Sequence, residues 1–113
     1  MPDKPWKIAE RNVAAFLTGD RANRVPLSGS TSKHTAADII HPRLFVEVRY
    51  RANLVVATWF REIVPRAHKE GKLPVLVMQE KYGKTRYYTV QEQDAEAFAF
   101  ELLRSRGWEF DET

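Results

Sequence analysis

Two acidic residues and one basic residue are spaced so that they can act together on a phosphate. Asp38 is followed nine residues later by Glu47, and Arg49 comes two residues after Glu47. In an extended strand over residues 44–50, Glu47 and Arg49 project to the same face, about 7 Å apart. A preceding turn would fold residues 37–40 back against this strand and bring Asp38 close. Carboxylates that hold Mg²⁺, beside a cation that stabilises phosphate charge, are typical of phosphodiester hydrolysis.

The elements that would carry these residues follow from the hydrophobic pattern. Apolar residues at helical spacing predict a first helix that ends at Gly19 and a second helix that Pro65 should bend or split in two. Asp94 is expected to cap the last helix. A run that is apolar on both faces predicts a central strand near the middle of the chain. The predicted helices cover residues 6–17, 54–70 and 95–105, and the predicted strands cover 23–27, 37–40, 44–50, 72–78 and 85–90.

Length and composition indicate one globular domain over residues 1–113, with 43% apolar and 29% charged residues. Three histidines and no cysteine argue against a zinc site or a disulfide framework. No apolar run approaches the roughly 20 residues of a membrane span. Residues 1–10 also lack the apolar segment of a signal peptide. We therefore expect a cytoplasmic protein with no membrane partner.

The charge is unevenly distributed along the chain. Residues 1–90 contain 16 Lys and Arg against 8 Asp and Glu, a balance of +8, whereas residues 91–113 contain 2 against 7. A basic body favours a polyanionic partner such as nucleic acid, and bound divalent cations would make it more positive still. A solvated surface followed by an acidic tail would account for the same distribution.

Several segments, in order along the chain, resemble the PD-(D/E)XK nuclease superfamily, and within it the archaeal-type and phage Holliday junction resolvases. AERNVAAFL resembles the first helix of these enzymes, and RVPLSGS resembles the strand and loop that bring a catalytic serine. ADII and FVEVR resemble the strands with the two acids and the basic residue, and KLPVLVM and RYYTV resemble the later strands. The likeness covers roughly residues 6–90.

The resemblance implies a role for each matching residue. The implied catalytic residues are Asp38, Glu47, Arg49, Ser28 and Glu10. The implied ligands of Mg²⁺, for which Mn²⁺ can substitute, are Asp38, Glu47 and Glu10. The chain departs from the family pattern in having Arg49 where a lysine is usual and Ala37 where a proline is usual. An arginine is charged at every working pH and cannot accept a proton.

The expected fold is α/β, a restriction-endonuclease-like, mixed and mostly antiparallel five-stranded sheet flanked by helices. The expected function is Mg²⁺-dependent cleavage of four-way DNA junctions by a homodimer, in DNA recombination and repair in an archaeal, bacterial or phage-infected cell. Two alternatives are a nuclease of the same fold that acts on flaps, nicks or duplex DNA, and a junction-binding protein without turnover. The expected DNA contacts are Arg24, Ser30, Lys33, Arg43, Arg51 and Arg61.

Each residue also has a simpler interpretation. Glu47 and Arg49 are explained equally by an ion pair on a strand, and Asp38 by a turn. Glu10 is explained by a solvated helix position, and the serines by loop hydrogen bonds. His41 is expected at the surface. The order of these residues within the family pattern favours the catalytic interpretation.

Overall fold

The computed structural model describes residues 4–19 and 35–110, and these form three α-helices and a three-stranded sheet. The elements are α1 (Pro5–Thr18), β1 (Leu44–Arg51), α2 (Val56–Lys69), β2 (Leu73–Glu80), β3 (Arg86–Thr89) and α3 (Ala95–Ser105), with a 3₁₀ turn at Glu92–Asp94 before α3. The expectations for Arg24, Ser28, Ser30, Lys33 and a strand over 23–27 lie outside the described residues. Within the described ranges, no helix has both the length and the apolar character needed to cross a membrane.

The sheet is mixed, as predicted, and β2 is its central strand. β1 runs parallel to β2, with Leu44 opposite Leu73, and β3 runs antiparallel to β2. The described part of the sheet has three strands rather than five, and its two strand pairs are one parallel and one antiparallel. The predicted strand over 37–40 is reduced to a single antiparallel bridge between Ile39 and Val46. The reason is that the Val48 N–H of β1 donates to the side-chain carboxylate of Asp38 and not to a backbone carbonyl of residues 37–40.

The first core lies between the sheet and the two terminal helices. Side chains alternate across a strand, so every second residue of β1 and β2 points to this face. The buried members include Ala9, Val13, Ala14 and Leu17 of α1 and Val46, Val48, Val75 and Val77 of the strands, and Phe98 and Leu102 of α3 pack against them. The apolar stripe of α1 therefore fixes the side of the sheet on which Glu10 lies.

The second core lies on the opposite face, which α2 covers. Its buried members include Phe60, Ile63 and Ala67 of α2 and Phe45, Leu76 and Met78 of the sheet, and Trp59 packs against them partly buried. The parallel order of β1 and β2 requires a crossover, and α2 supplies it. Because α2 crosses over the face that carries Glu47, its polar residues can reach that carboxylate.

Gly19 ends α1 as predicted, whereas the cap expected at the start of α3 does not form. Gly19 ends α1 in a left-handed conformation at φ 76°, and Gly71 follows α2 at φ 66°, which suits glycine because it lacks a Cβ. Pro65 lies inside α2, which continues as one helix over Val56–Lys69 and is not split. Asp94 precedes α3 but its side chain makes no capping hydrogen bond. The backbone of Asp94 is already helical in the 3₁₀ turn, so its carboxylate is not in the geometry of a cap.

His41 is buried, with 4% of its surface exposed, so the expectation of a surface histidine is wrong. Its Nδ1 accepts hydrogen bonds from the backbone N–H groups of Arg43 (3.1 Å) and Leu44 (3.0 Å). Its Nε2 lies 2.7 Å from Ser105 Oγ, and that hydroxyl donates to the Glu101 carbonyl. The neutral ring therefore carries its proton on Nε2 and ties the turn before β1 to α3. Burial, together with the nearby positive charges, lowers the pKa of His41.

We predict that acid weakens the fold through His41. Because its pKa is lowered in the folded state, the unfolded chain takes up the proton first, and stability is lost as the pH falls through the ordinary histidine range. Between pH 7.5 and 5, the free energy of unfolding of the wild type should fall further than that of His41→Asn, which keeps an acceptor for the turn. Denaturant unfolding of both proteins at each pH measures this difference. Parallel pH curves would contradict the assignment.

Candidate active site

Asp38 is held beside β1 by its backbone and by its side chain. Its N–H donates to the Val46 carbonyl at 3.0 Å, and the Val48 N–H donates to its Oδ2 at 2.8 Å. Val46 and Val48 flank Glu47 in the strand, so these two bonds place Asp38 alongside Glu47. The expected return of residues 37–40 toward the strand is present, although its regular part is one bridge long.

Glu47 lies on the α2 side of β1 with 5% of its surface exposed. Its Oε2 is 3.0 Å from Arg49 Nη2 and 3.4 Å from Arg66 Nη2. Burial and the neighbouring Asp38 charge raise the pKa of Glu47 to about 7, against the opposing effect of the two guanidinium groups. Burial likewise raises the pKa of Asp38, although the Val48 N–H and Arg49 act in the other direction. Two partly desolvated carboxylates thus share a region that still favours added positive charge.

Arg49 is fixed by contacts on both sides. Its Nη2 lies 3.0 Å from Glu47 Oε2 and 3.3 Å from Glu62 Oε2, and its guanidinium lies 5.9 Å from the centre of the Trp59 ring. Its Nε is buried and makes no hydrogen bond with any residue in the part of the chain that the structure describes. The side chain is 18% exposed, so its charge is held at the edge of the site and not in open solvent. This geometry preorganises a cation beside the two carboxylates.

Helix α2 contributes two residues whose place in the site the sequence did not reveal. Glu62 contacts Arg49, and Arg66 contacts Glu47 while its Nε donates to the Glu62 carbonyl at 3.3 Å. The residues are one helical turn apart and border the apolar stripe of α2. This spacing in the sequence indicates that Glu62 and Arg66 share one side of α2. It assigns them to the site only when α2 is known to cover the face of the sheet that carries Glu47.

A cleft of about 280 Å³ opens next to these groups. It is lined by Trp6, Glu10, Asp38, Val48, Arg49, Tyr50 and Arg51. Glu10, which is 9% exposed, reaches this cleft from α1, whereas Glu47 lies on the α2 side of β1 and is not among the residues that line the cleft. The cleft therefore combines a carboxylate from α1, a carboxylate beside β1 and two arginines of β1, which suits a bound phosphate with a divalent cation.

The remaining candidate contacts are distributed around the molecule. Arg51 lines the cleft, and its Nη1 donates to the Tyr50 carbonyl. Arg43 precedes β1 at the opposite end of the strand, 3.7 Å from Glu101. Arg61 lies on α2 beside a shallow apolar groove and 3.3 Å from Thr58. Of the expected DNA contacts in the described ranges, Arg51 is the one that the structure brings to the cleft.

The donor set fits a hard divalent cation. In residues 4–19 and 35–110, no three His, Cys, Asp or Glu side chains are grouped closely enough to hold a metal ion by themselves. Asp38 and Glu47 are two adjacent oxygen donors with raised pKa values, and positive charge would relieve their repulsion. Mg²⁺ often takes only one or two protein carboxylates, with water and phosphate oxygens as its other ligands.

The chain matches no protein-family model, no curated protein and no solved structure.

We predict that Glu47→Gln stabilises the metal-free protein. Because the pKa of Glu47 is raised in the folded state, its ionisation above about pH 7 costs stability, and a neutral amide avoids that cost. At pH 8 the free energy of unfolding should rise by on the order of 2 kcal/mol, and at pH 5 the difference should shrink. Denaturant unfolding in a chelator measures both values.

The matched control is Glu62→Gln, since Glu62 also contacts Arg49 but its side chain is 54% exposed. It should change stability by no more than about 0.5 kcal/mol. A Glu47→Gln protein that is less stable than the wild type at pH 8 would show that the two arginines outweigh burial and repulsion.

Proposed function

We propose that this protein is a Mg²⁺-dependent endonuclease that hydrolyses DNA phosphodiester bonds, with the four-way junction as its preferred substrate. The observation that carries the proposal is Asp38, hydrogen-bonded onto β1 beside the buried Glu47, with Arg49 held next to both. Carboxylates beside a cation are groups that metal-dependent phosphodiester hydrolysis uses. Asp38 and Arg49 also line the open cleft. The preference for junctions rests on the sequence resemblance.

The residues divide the work by their chemistry. Asp38 and Glu47 would hold the cation, and Glu10, across the cleft, would hold a second cation or its water. When bound, Mg²⁺ supplies Lewis-acid stabilisation of the attacked phosphate and activates a water for in-line attack. Arg49 would stabilise the negative charge that develops on the phosphate oxygens. Ser28 would hold the scissile phosphate, and the products would be a 5′-phosphate and a 3′-hydroxyl.

The wider architecture is part of the same proposal. The mixed sheet with helices on both faces is compatible with a restriction-endonuclease-like fold. A two-fold homodimer would place two sites on two strands of a junction. The +8 balance of residues 1–90 supports binding to DNA phosphates. Shape and phosphate positions, more than base edges, would be recognised.

One observation favours a second candidate, a junction-binding protein without turnover. Glu47 Oε2 is contacted by both Arg49 and Arg66, so these guanidinium groups occupy an oxygen that a cation would need. An arginine also cannot accept a proton from the attacking water. A nuclease of the same fold that acts on flaps, nicks or duplex DNA is the remaining alternative within the enzymatic proposal.

We predict that the purified protein cuts a strand-labelled four-way junction in Mg²⁺ and leaves it intact in a chelator. Asp38→Asn should lose cleavage but keep junction binding, since it removes one ligand charge and leaves the basic contacts. Denaturing gels give the product, and binding in Ca²⁺ gives the affinity.

Linear duplex, flap and nicked DNA of the same sequence separate the substrate classes. Tight junction binding without any product would favour the non-enzymatic candidate, and full activity of Asp38→Asn would remove the site assignment.

We predict that Arg49→Lys keeps or raises the cleavage rate, whereas Arg49→Ala lowers it. Losing a preorganised charge at a developing anion typically costs about 10²- to 10³-fold in rate, and lysine retains that charge. Single-turnover cleavage of the junction measures the chemical step. Arg104→Ala is the control, because Arg104 is half-exposed on α3 and contacts Glu101, away from the cleft. Wild-type rates for Arg49→Ala would assign Arg49 to a structural ion pair.

A further inference from the structure

Glu70, the first residue after α2, holds the segment that carries Asp38. Its Oε1 accepts a hydrogen bond from the Thr35 hydroxyl at 2.6 Å, and its Oε2 accepts one from the Ala36 N–H at 2.8 Å. Lys72 Nζ lies 3.3 Å from Oε1. The two oxygens of the Glu70 carboxylate therefore accept hydrogen bonds from two successive residues, Thr35 and Ala36, which precede Asp38 by three and two positions. We call this pair of hydrogen bonds the Glu70 clamp.

Thr35 extends this clamp toward Asp38. It is 5% exposed, and while its hydroxyl donates to Glu70, its Oγ1 accepts the Ala37 N–H at 3.0 Å. Ala37 is fully buried in the core that α2 covers. The backbone amides of two residues before Asp38 are thus satisfied by Glu70, directly or through Thr35, and not by a strand.

The clamp matters because the other attachment of this segment is short. Between residues 35 and 40, the sheet contributes one bridge at Ile39, the Asp38 N–H bond to Val46 and the bond from Val48 to the Asp38 carboxylate. A segment held by so few ladder bonds has little intrinsic order. The partial burial of Glu70 raises its pKa, but the bonds from Ala36 and Thr35 outweigh this and lower the pKa overall, so the acceptor is charged at neutral pH.

We propose that Glu70 is a positioning residue for Asp38: it fixes residues 35–37 to the end of α2 and thereby sets where the Asp38 carboxylate stands relative to Glu47. The inference rests on the proposed function, since it gives Glu70 a role in cation binding and cleavage. Glu70 touches neither carboxylate and acts through the backbone. Groups that orient metal ligands typically change metal affinity by about 10- to 100-fold when they are removed.

The test uses three variants. Glu70→Gln removes the charged acceptor, Thr35→Val removes the hydroxyl, and Thr35→Ser keeps the hydroxyl. Glu96→Gln, an exposed carboxylate on α3, is the matched control. Each protein is first checked for cooperative unfolding. Mn²⁺ binding is then measured by calorimetry without DNA, amide hydrogen exchange is measured at Ala36 and Ala37, and junction cleavage is separated into kcat and KM.

Glu70→Gln and Thr35→Val should bind Mn²⁺ about 10-fold more weakly or worse and lose a similar factor in kcat, with KM within about twofold. Amide exchange at Ala36 should be faster in Glu70→Gln than in the wild type. Thr35→Ser, which keeps the hydroxyl, should have a Mn²⁺ affinity and kcat close to those of the wild type. A folded Glu70→Gln protein with unchanged Mn²⁺ affinity and kcat would overturn the role of Glu70 and leave the proposed function standing. A wild type that neither binds Mn²⁺ nor cleaves would overturn both.

Discussion

The hydrogen bond from the Val48 N–H to the Asp38 carboxylate is the interaction on which the candidate site depends. It takes an amide at the edge of β1 that a neighbouring strand would otherwise use, so the segment before β1 approaches the sheet without extending it. The same bond places a second carboxylate next to the buried Glu47. A regular strand at this position would satisfy the backbone hydrogen bonds of β1. The direction of the Asp38 side chain would then be set only by the alternation of side chains along the strand, and its carboxylate would not be hydrogen-bonded to β1.

The polar flank of α2 organises the rest of the site. Glu62, Arg66 and Glu70 are spaced one helical turn apart and contact Arg49, Glu47 and the segment of Asp38 in turn. The apolar side of the same helix is held in the core by Phe60 and Ile63. The packing of α2 on the sheet therefore also aligns the site, because any shift of the helix would move the contacts of Glu62, Arg66 and Glu70.

Electrostatics in the candidate site oppose the stability of the fold. Burial of Asp38 and Glu47 raises the pKa of each carboxyl, and the arginines offset this only in part. Groups arranged for function commonly have such perturbed pKa values. The contact of Arg49 and Arg66 with one oxygen of Glu47 gives the free protein an internal counter-charge, and a phosphate that drew the arginines away would release that oxygen.

The sequence predicted correctly the elements that have strong local signals. Apolar spacing gave the three helices within a few residues, Gly19 gave the end of α1, and the run over 72–78 gave the central strand, because these depend on periodicity and on backbone freedom of nearby residues. It also placed Glu47 and Arg49 on one face of β1. How Asp38 approaches them was expected as a strand pair, which overestimated the backbone pairing of residues 37–40.

Which distant groups meet depends on how the helices pack on the sheet. His41 had no local signal for burial, because its partners include Ser105 of α3. The positions of Glu62, Arg66 and Glu70 in the site follow from the crossover, which places α2 over the face that carries Glu47. α2 also continues through Pro65, which helix propensity alone would not predict. Contacts between residues far apart in the chain follow from which faces pack together, and local spacing does not encode that choice.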